Sequence, residues 1–311
     1  MLFLLILTLG TPIEHVSPVN WEGNLARIFS TTITQDGRIF FVNPIEGIVF
    51  QTNLRGESLP SIGQKGEGPN EFNWPENIFY DEPFLYVYDG AKDKMFQIDG
   101  STGQFLKSWR VGNINSFSIQ GKQIRASFRT LQSGHIFGRG RIIEKVIAFD
   151  HYIGGVPCCL RVSGSKKAAV LSARDGTFWL AHTGVFQLEH YSADGKILKK
   201  IDAELPDYVA PQNGSQKSRF DTKGRSADIA KFDKIRNLYE CGDHIILYRA
   251  KRLNDSHLDI FGKNGKRKTT QRVDKIKPIG VLGQTLYGFL RGNDTTNWDI
   301  MVVKVYENAE K

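Results

Sequence analysis

The sequence predicts an all-β protein, a six-bladed β-propeller built from four-stranded antiparallel blades. Three observations carry that expectation. A turn followed by a short aromatic or aliphatic strand occurs six times, and further strands end in Asp-Gly or Asn-Gly turns. Glycine supplies 31 of 311 residues against 11 prolines, a balance that suits many tight turns and not a proline-rich linker. Repeats of 40–65 residues, each long enough for four short strands, are the signature of a propeller.

The units follow in order. The first turn and strand is Asp36-Gly37-Arg38-Ile39-Phe40-Phe41-Val42, and the second is Glu82-Pro83-Phe84-Leu85-Tyr86-Val87. The third is read at Ser133-Gly134-His135-Ile136-Phe137 and the fourth at Asp175-Gly176-Thr177-Phe178-Trp179-Leu180. The last two are Gly242-Asp243-His244-Ile245-Ile246-Leu247 and Gly283-Gln284-Thr285-Leu286-Tyr287. A further strand follows each: Ile48–Gln51, Met95–Ile98, Val146–Asp150, Leu188–Tyr191, Leu258–Phe261 and Ile300–Val305. Several of these run into Asp-Gly or Asn-Gly pairs, whose central residues accept the positive φ of hairpin turns. The anchors Gly37, Pro83, Gly134, Gly176, Gly242 and Gly283 lie 46, 51, 42, 66 and 41 residues apart. The long interval marks an insertion, read as a loop at residues 206–236 between blades 4 and 5. Residues 11–311 are thus one propeller domain. A strand from residues 11–20 is expected to complete the last blade and clasp the termini, because the sixth unit runs out after its third strand. The first inner strand is expected near Ala26–Ile33.

Residues 62–78 read IGQKGEGPNEFNWPENI. Gly63, Gly66, Gly68 and Pro69, then Glu71-Phe72 and Pro75, resemble the glycine-rich linker, aromatic plug and strand entry of NHL-type six-bladed propellers. The good match covers about residues 28–110, and bacterial exported proteins are common among such propellers. The resemblance implies the fold. It also implies one alternative chemistry, since related calcium-dependent lactonases and amidating lyases build a metal site on the axis. Glu76, Asn77 and Asn237 stand at inner-strand starts and are the candidates for it. The glycines are not a phosphate loop, because Pro69 and Pro75 block the helix that such a loop requires.

Composition narrows the function classes. The chain carries 41 basic and 33 acidic residues, for a net +8, and residues 215–277 alone hold 17 basic against 8 acidic. Lys217, Arg219, Lys223, Arg225, Lys231, Lys234 and Arg236 form the core of this run, readable as a solvated face or as a surface for an acidic partner. Seven histidines (His15, His135, His151, His182, His190, His244 and His257) show no metal-ligand spacing, and neither a G-x-S-x-G elbow nor a Cys/His signature is present. No cofactor is expected on the main reading, with calcium reserved for the enzyme alternative. Cys158-Cys159 admits two readings, a pair of thiols or a strained vicinal disulfide, because neighbouring Cα atoms lie closer than ordinary bridge geometry prefers. Cys241 has no obvious partner.

The opening MLFLLILTLG has the length of a signal-peptide core, although no basic residue precedes it and no A-x-A site follows. It is read as a signal-peptide remnant of an exported protein, periplasmic or secreted; the alternative is a first strand of a cytoplasmic one. No stretch reaches the roughly 20 apolar residues that span a bilayer. The function expected is a non-catalytic binding scaffold, a monomer presenting one loop face to a protein, peptide or glycan. A metal-dependent enzyme is the alternative, and RNA binding through the basic segment ranks below both.

Overall fold

A computed structural model describes residues 13–18, 28–128, 135–144, 146–155, 168–182, 186–201, 234–252, 255–291 and 298–303. The first strand in the chain, β1 (Ile13–Pro18), belongs to the last blade. Blade 1 holds β2 (Thr31–Ile33), β3 (Ile39–Asn43), β4 (Ile48–Thr52) and β5 (Ser58–Ile62). Blade 2 holds β6 (Pro75–Asp81), β7 (Phe84–Asp89), β8 (Lys94–Asp99) and β9 (Phe105–Arg110). Blade 3 holds β10 (Ile114–Gln120), β11 (Gln123–Phe128), β12 (His135–Ile142) and β13 (Ile147–Gly155). Blade 4 holds β14 (Ala168–Ser172), β15 (Phe178–His182), β16 (Gln187–Tyr191) and β17 (Ile197–Ile201). Blade 5 holds β18 (Lys234–Cys241), β19 (His244–Arg252), β20 (Asp255–Gly262) and β21 (Arg267–Arg272). In blade 6, β22 (Ile276–Leu282), β23 (Thr285–Arg291) and β24 (Trp298–Val303) are completed by β1.

Every sheet is antiparallel and no helix occurs among the described residues, so the molecule is an all-β six-bladed propeller. The clasp is explicit: Ile13 faces Val303 and Pro18 faces Asp299, with a bulge between His15 and Ser17. One strand from the start of the chain thereby covers the edge that β24 would otherwise expose.

Burial across each blade follows from its place in the ring. Second strands are sandwiched between neighbouring blades, and all five residues of β3 and of β15 are buried. Both faces are apolar there, which is why these strands read as continuous hydrophobic runs instead of alternating ones. Outermost strands are the reverse: β17 (Ile197-Leu198-Lys199-Lys200-Ile201) is exposed over four of five positions, and its lysines blunt the edge. Aromatic side chains fill the wedges between blades. Phe72 packs edge-on to Phe96 at 5.2 Å and against Phe105 at 5.3 Å, while Phe41 meets Phe289 across the junction of blades 1 and 6.

The linker at residues 62–78 is a folded plug. Gly63 has φ +77°, and a Cβ there would lie 2.6 Å from the Phe72 ring, so only glycine admits that ring. The Glu71 carboxylate folds back over Gly66 and Gly68. It accepts from Gln64 Nε2 and from the Gly68 backbone N–H, both at 2.7 Å, and these bonds hold its pKa below the usual value. Lys92 ties the plug down by donating to the carbonyls of Gly68 and Glu71. Pro75 then opens β6, as the motif predicts.

Three readings need correction. The second strand of blade 3 is β11, after the Gly121-Lys122 turn; His135–Phe137 open the third strand, and residues from Ile147 form the outermost one. Polar residues disguise β11. Arg125 is fully buried there, donating to Ser172 Oγ at 2.7 Å and to Gly176 O at 3.0 Å with its guanidinium 5.0 Å from the Phe178 ring centre. A buried arginine bonded across to blade 4 stands where the other second strands carry Phe40, Tyr86, Trp179, Ile246 and Tyr287, and no hydrophobic pattern reports it. Second, the inner strand of blade 1 is shorter than Ala26–Ile33, starting at Thr31. Third, blade 5 begins at Lys234, so Lys234 and Arg236 belong to its innermost strand and not to the 206–236 loop.

Candidate functional site

The six inner strands line an axial cavity of about 1040 Å³. Hydrogen bonds tie the starts of β6, β10 and β14 to one another and the ends of β14 to β18 and of β18 to β22, so these inner strands run the same way and define two rims. At the upper rim, where they begin, Asn77 Nδ2 donates to Asn115 O at 3.1 Å, and Asn115 Nδ2 to Ala168 O at 3.3 Å. Lys277 Nζ donates to Phe29 O at 2.9 Å and to Ile28 O; further along, Thr31 Oγ1 donates to Ile279 O and Tyr239 Oη to Pro278 O, both at 3.1 Å. At the lower rim Asp81 accepts from Gly121 N, Glu240 from Arg174 N, and the Cys241 thiol donates to Gln284 O. Each contact joins one blade to the next, because inner strands of adjacent blades have no shared ladder to satisfy their facing carbonyls.

A recurring irregularity sets which side chains enter the channel. The register of β6 shifts between Pro75 and Asn77, that of β10 between Ile114 and Ser116, and that of β18 between Ile235 and Asn237. The extra residues are Glu76, Asn115 and Arg236, and all three line the cavity. A bulge leaves one residue outside the ladder and turns its side chain away from the sheet. Blades 2, 3 and 5 thus present a carboxylate, an amide and a guanidinium at equivalent places on the upper rim. β22 has its shift further along, between Pro278 and Gly280, and presents Lys277 before it.

The charges are unevenly distributed around the rim. Arg236, an exposed residue, Lys277 and Arg291 line the cavity from the sector of blades 5 and 6. The Arg291 guanidinium lies 5.9 Å from the centre of the Trp298 ring, which forms part of the same wall. Burial, reinforced by the nearby Arg236 cation, pushes the Lys277 ammonium down from 10.5 to about 7. Of the carboxylates in the lining, Asp81, Glu82 and Glu240 stand at the lower rim, and Glu240 pairs with Lys263 Nζ at 2.6 Å. Glu76 is on the upper rim in blade 2, across the ring from blade 5, packed against Gly90.

Of the sequence candidates, Glu76, Asn77 and Asn237 all reach the channel; Asn77 Nδ2 donates to Asn115 O and Asn237 Nδ2 to Tyr239 Oη at 3.1 Å, while the Asn237 Oδ1 accepts from Leu238 N. Among the described residues no group of three or more His, Cys, Asp or Glu side chains could hold a metal ion. Of the basic cluster, Arg236 enters the channel and Lys234 opens β18, while Lys217, Arg219, Lys223, Arg225 and Lys231 lie outside the described residues, as do Cys158 and Cys159. Cys241 is a buried free thiol with its pKa raised by burial. His182 and His190 serve packing. His182 Nε2 lies 3.1 Å from Glu189, which also accepts from Tyr191 Oη at 2.6 Å, and His190 stacks on Trp179 at 4.1 Å. The sequence reading missed Asn115, Lys277 and Arg291 as channel residues. The available signal was an apolar residue followed by two polar ones at an inner-strand start, as in Pro75-Glu76-Asn77, Ile114-Asn115-Ser116 and Ile235-Arg236-Asn237.

Similarity to known proteins agrees with the fold. Residues 22–133 match a family described as a 6-bladed beta-propeller. A Bacteroides fragilis protein described as exported superposes with TM-score 0.66 at 12% identity, covering 95% of both chains. A Bacteroides vulgatus protein of the duf4221 family gives TM-score 0.67 at 9% identity over 96% of both chains. Virginiamycin B lyase from Staphylococcus aureus, solved with quinupristin, gives TM-score 0.53 at 12% identity, covering 91% of this chain and 82% of its own. No curated protein matches the sequence significantly. At these identities the likeness is one of fold.

No helix among the described residues is long and apolar enough to cross a membrane.

Proposed function

We propose that the protein is an exported, non-catalytic binding propeller that receives a peptide or glycan at the upper rim of its axial channel. The observation that carries this reading is an aromatic pair at the mouth. Phe29, 42% exposed, lines the cavity and stands edge-on to Trp74 at 6.2 Å, with Lys65 Nζ 5.6 Å from the Trp74 ring. Exposed aromatics beside a concave site are the residues that dominate binding energy at interfaces. The cavity is of the size that holds a few sugar or peptide units, since ligand sites span roughly 300–1,000 Å³. Export is supported by the apolar run at residues 1–10 and by the fold neighbour described as exported.

The alternative, a metal-dependent enzyme of the lyase kind, draws on the propeller lyase among the fold neighbours. It needs several oxygen ligands around one point; Asn77 and Asn115 donate to other protein groups through Nδ2, which leaves Oδ1 as their ligating atom, whereas the Asn237 Oδ1 accepts from Leu238 N. A calcium-induced rise in melting temperature reversed by chelator would favour it over the scaffold reading.

The test is binding of the full chain to peptide and glycan arrays, with Phe29→Asp compared against Leu106→Asp. Leu106 is equally exposed at 42% but sits on the outermost strand β9. Binding lost in Phe29→Asp and kept in Leu106→Asp is expected. Equal effects of the two substitutions, or no bound member of either array, would overturn the reading.

A further inference from the structure

We propose that the upper channel between blades 5 and 6 is an oxyanion site, in which Arg236, Lys277 and Arg291 hold a carboxylate or phosphate group of a small ligand. This deepens the binding reading above, on which it rests for the access route only.

Three independent features converge on it. The first is placement. Arg236 is the bulged residue of β18, so its side chain leaves the ladder and enters the cavity. The second is absence of compensation. Arg236 and Arg291 form no ion pair among the described residues, and Lys277 donates only to the carbonyls of Ile28 and Phe29. By contrast, the fully buried Arg249 elsewhere in blade 5 has its carboxylate, Asp259, at 2.7 Å. Cations gathered with no counter-charge among the described residues repel one another, and a bound anion relieves that cost. The third is shape: the cavity has room for a ligand of several heavy atoms beside this wall, and a guanidinium fork matches the two oxygens of a carboxylate or phosphate.

Among the described residues, Arg236 is the charge that acts on Lys277, and the segment before β2 gives it the carbonyls of Ile28 and Phe29; Tyr239 and Tyr248 of blade 5 and Arg291 of β23 line the same cavity. Glu76 stands on the opposite side of the channel. An anion beside Lys277 favours its charged form, so binding takes up protons near neutrality and weakens as pH rises through the depressed Lys277 value of about 7.

The experiment uses the full chain and three probes in separate titrations: inorganic phosphate, glucuronate and neutral glucose, followed by melting temperature and calorimetry at pH 6 and pH 9. A saturable response to phosphate, glucuronate or both is expected, with none to glucose. A response to phosphate alone assigns a phosphate ligand, and one to glucuronate alone a carboxylate. Arg236→Gln and Lys277→Met should each weaken the response at least tenfold, while Arg55→Gln, an exposed cation on the outer part of blade 1, leaves it unchanged. Circular dichroism of Arg236→Gln checks that the ring is intact. No response to either anion, or an undiminished response in a folded Arg236→Gln, would overturn the site without touching the array result. An equal response in all variants would do the same by marking a general salt effect.

Discussion

Replacing Lys277 by methionine tests the electrostatics of the channel in a single measurement. In the folded protein the ammonium is depressed from 10.5 to about 7, first by burial and then by Arg236. The unfolded chain therefore holds a proton at this position between about pH 7 and 10.5 that the folded chain lacks. Stability of the parent protein must rise with pH across that window, because the unfolded state binds more protons there. Below about pH 7 both states are protonated and the cost of the buried cation is present in full. At about 1.4 kcal/mol for each tenfold change in proton affinity, the whole displacement corresponds to about 5 kcal/mol. Water reaching the ammonium through the channel screens this to about 2–4 kcal/mol.

Lys277→Met removes the charge from both states and with it the slope. It also strips a donor from the Ile28 and Phe29 carbonyls, a loss of about 1–3 kcal/mol that does not depend on pH. The readout is therefore the difference in urea unfolding free energy between variant and parent at pH 6, 8 and 10. The parent should gain on the variant by about 2–4 kcal/mol from pH 6 to pH 10. Parallel pH profiles would refute the argument, and with it the claim that this lysine is held as an unpaired cation.

Other substitutions probe the frame. Asp259→Asn breaks the buried pair with Arg249 and weakens the bond from Thr270 Oγ1, and should cost about 3–5 kcal/mol in urea unfolding; a loss below about 1 kcal/mol would contradict the pairing. Phe72→Ala empties the wedge between the first two blades and should cost about 3–5 kcal/mol by the same assay. Gly47→Ala places a Cβ 2.7 Å from the Phe72 carbonyl at a φ of +65°, and a loss of about 1–3 kcal/mol is expected. Deleting residues 1–18 uncovers the edge of β24, which should lower the melting temperature and promote aggregation at high concentration; unchanged melting would show the clasp to be dispensable.

The architecture was legible wherever the chain states its own turns. Asp36-Gly37 and Asp175-Gly176 place left-handed glycines between strands, with φ +81° and +86°, and the strands after them are buried on both faces. The plug around Phe72 was equally readable, since glycine, acid, aromatic and proline each meet a local steric demand. Blade 3 was misread because Arg125 is polar in sequence and core in space: its partners, Ser172 and Gly176, come from the next blade, 47 and 51 residues on.

What the sequence determined by itself is periodic and local: six units, the turns between their strands, and an expected strand near residues 11–20 for the last blade. What only the tertiary structure decided is the channel. Arg236 read as one charge in a basic run until the bulge in β18 turned it onto the axis, where Lys277 and Arg291 arrive from another blade. Their meeting depends on the closing of the ring, which joins positions far apart in the chain through a geometry that no run of neighbouring residues encodes.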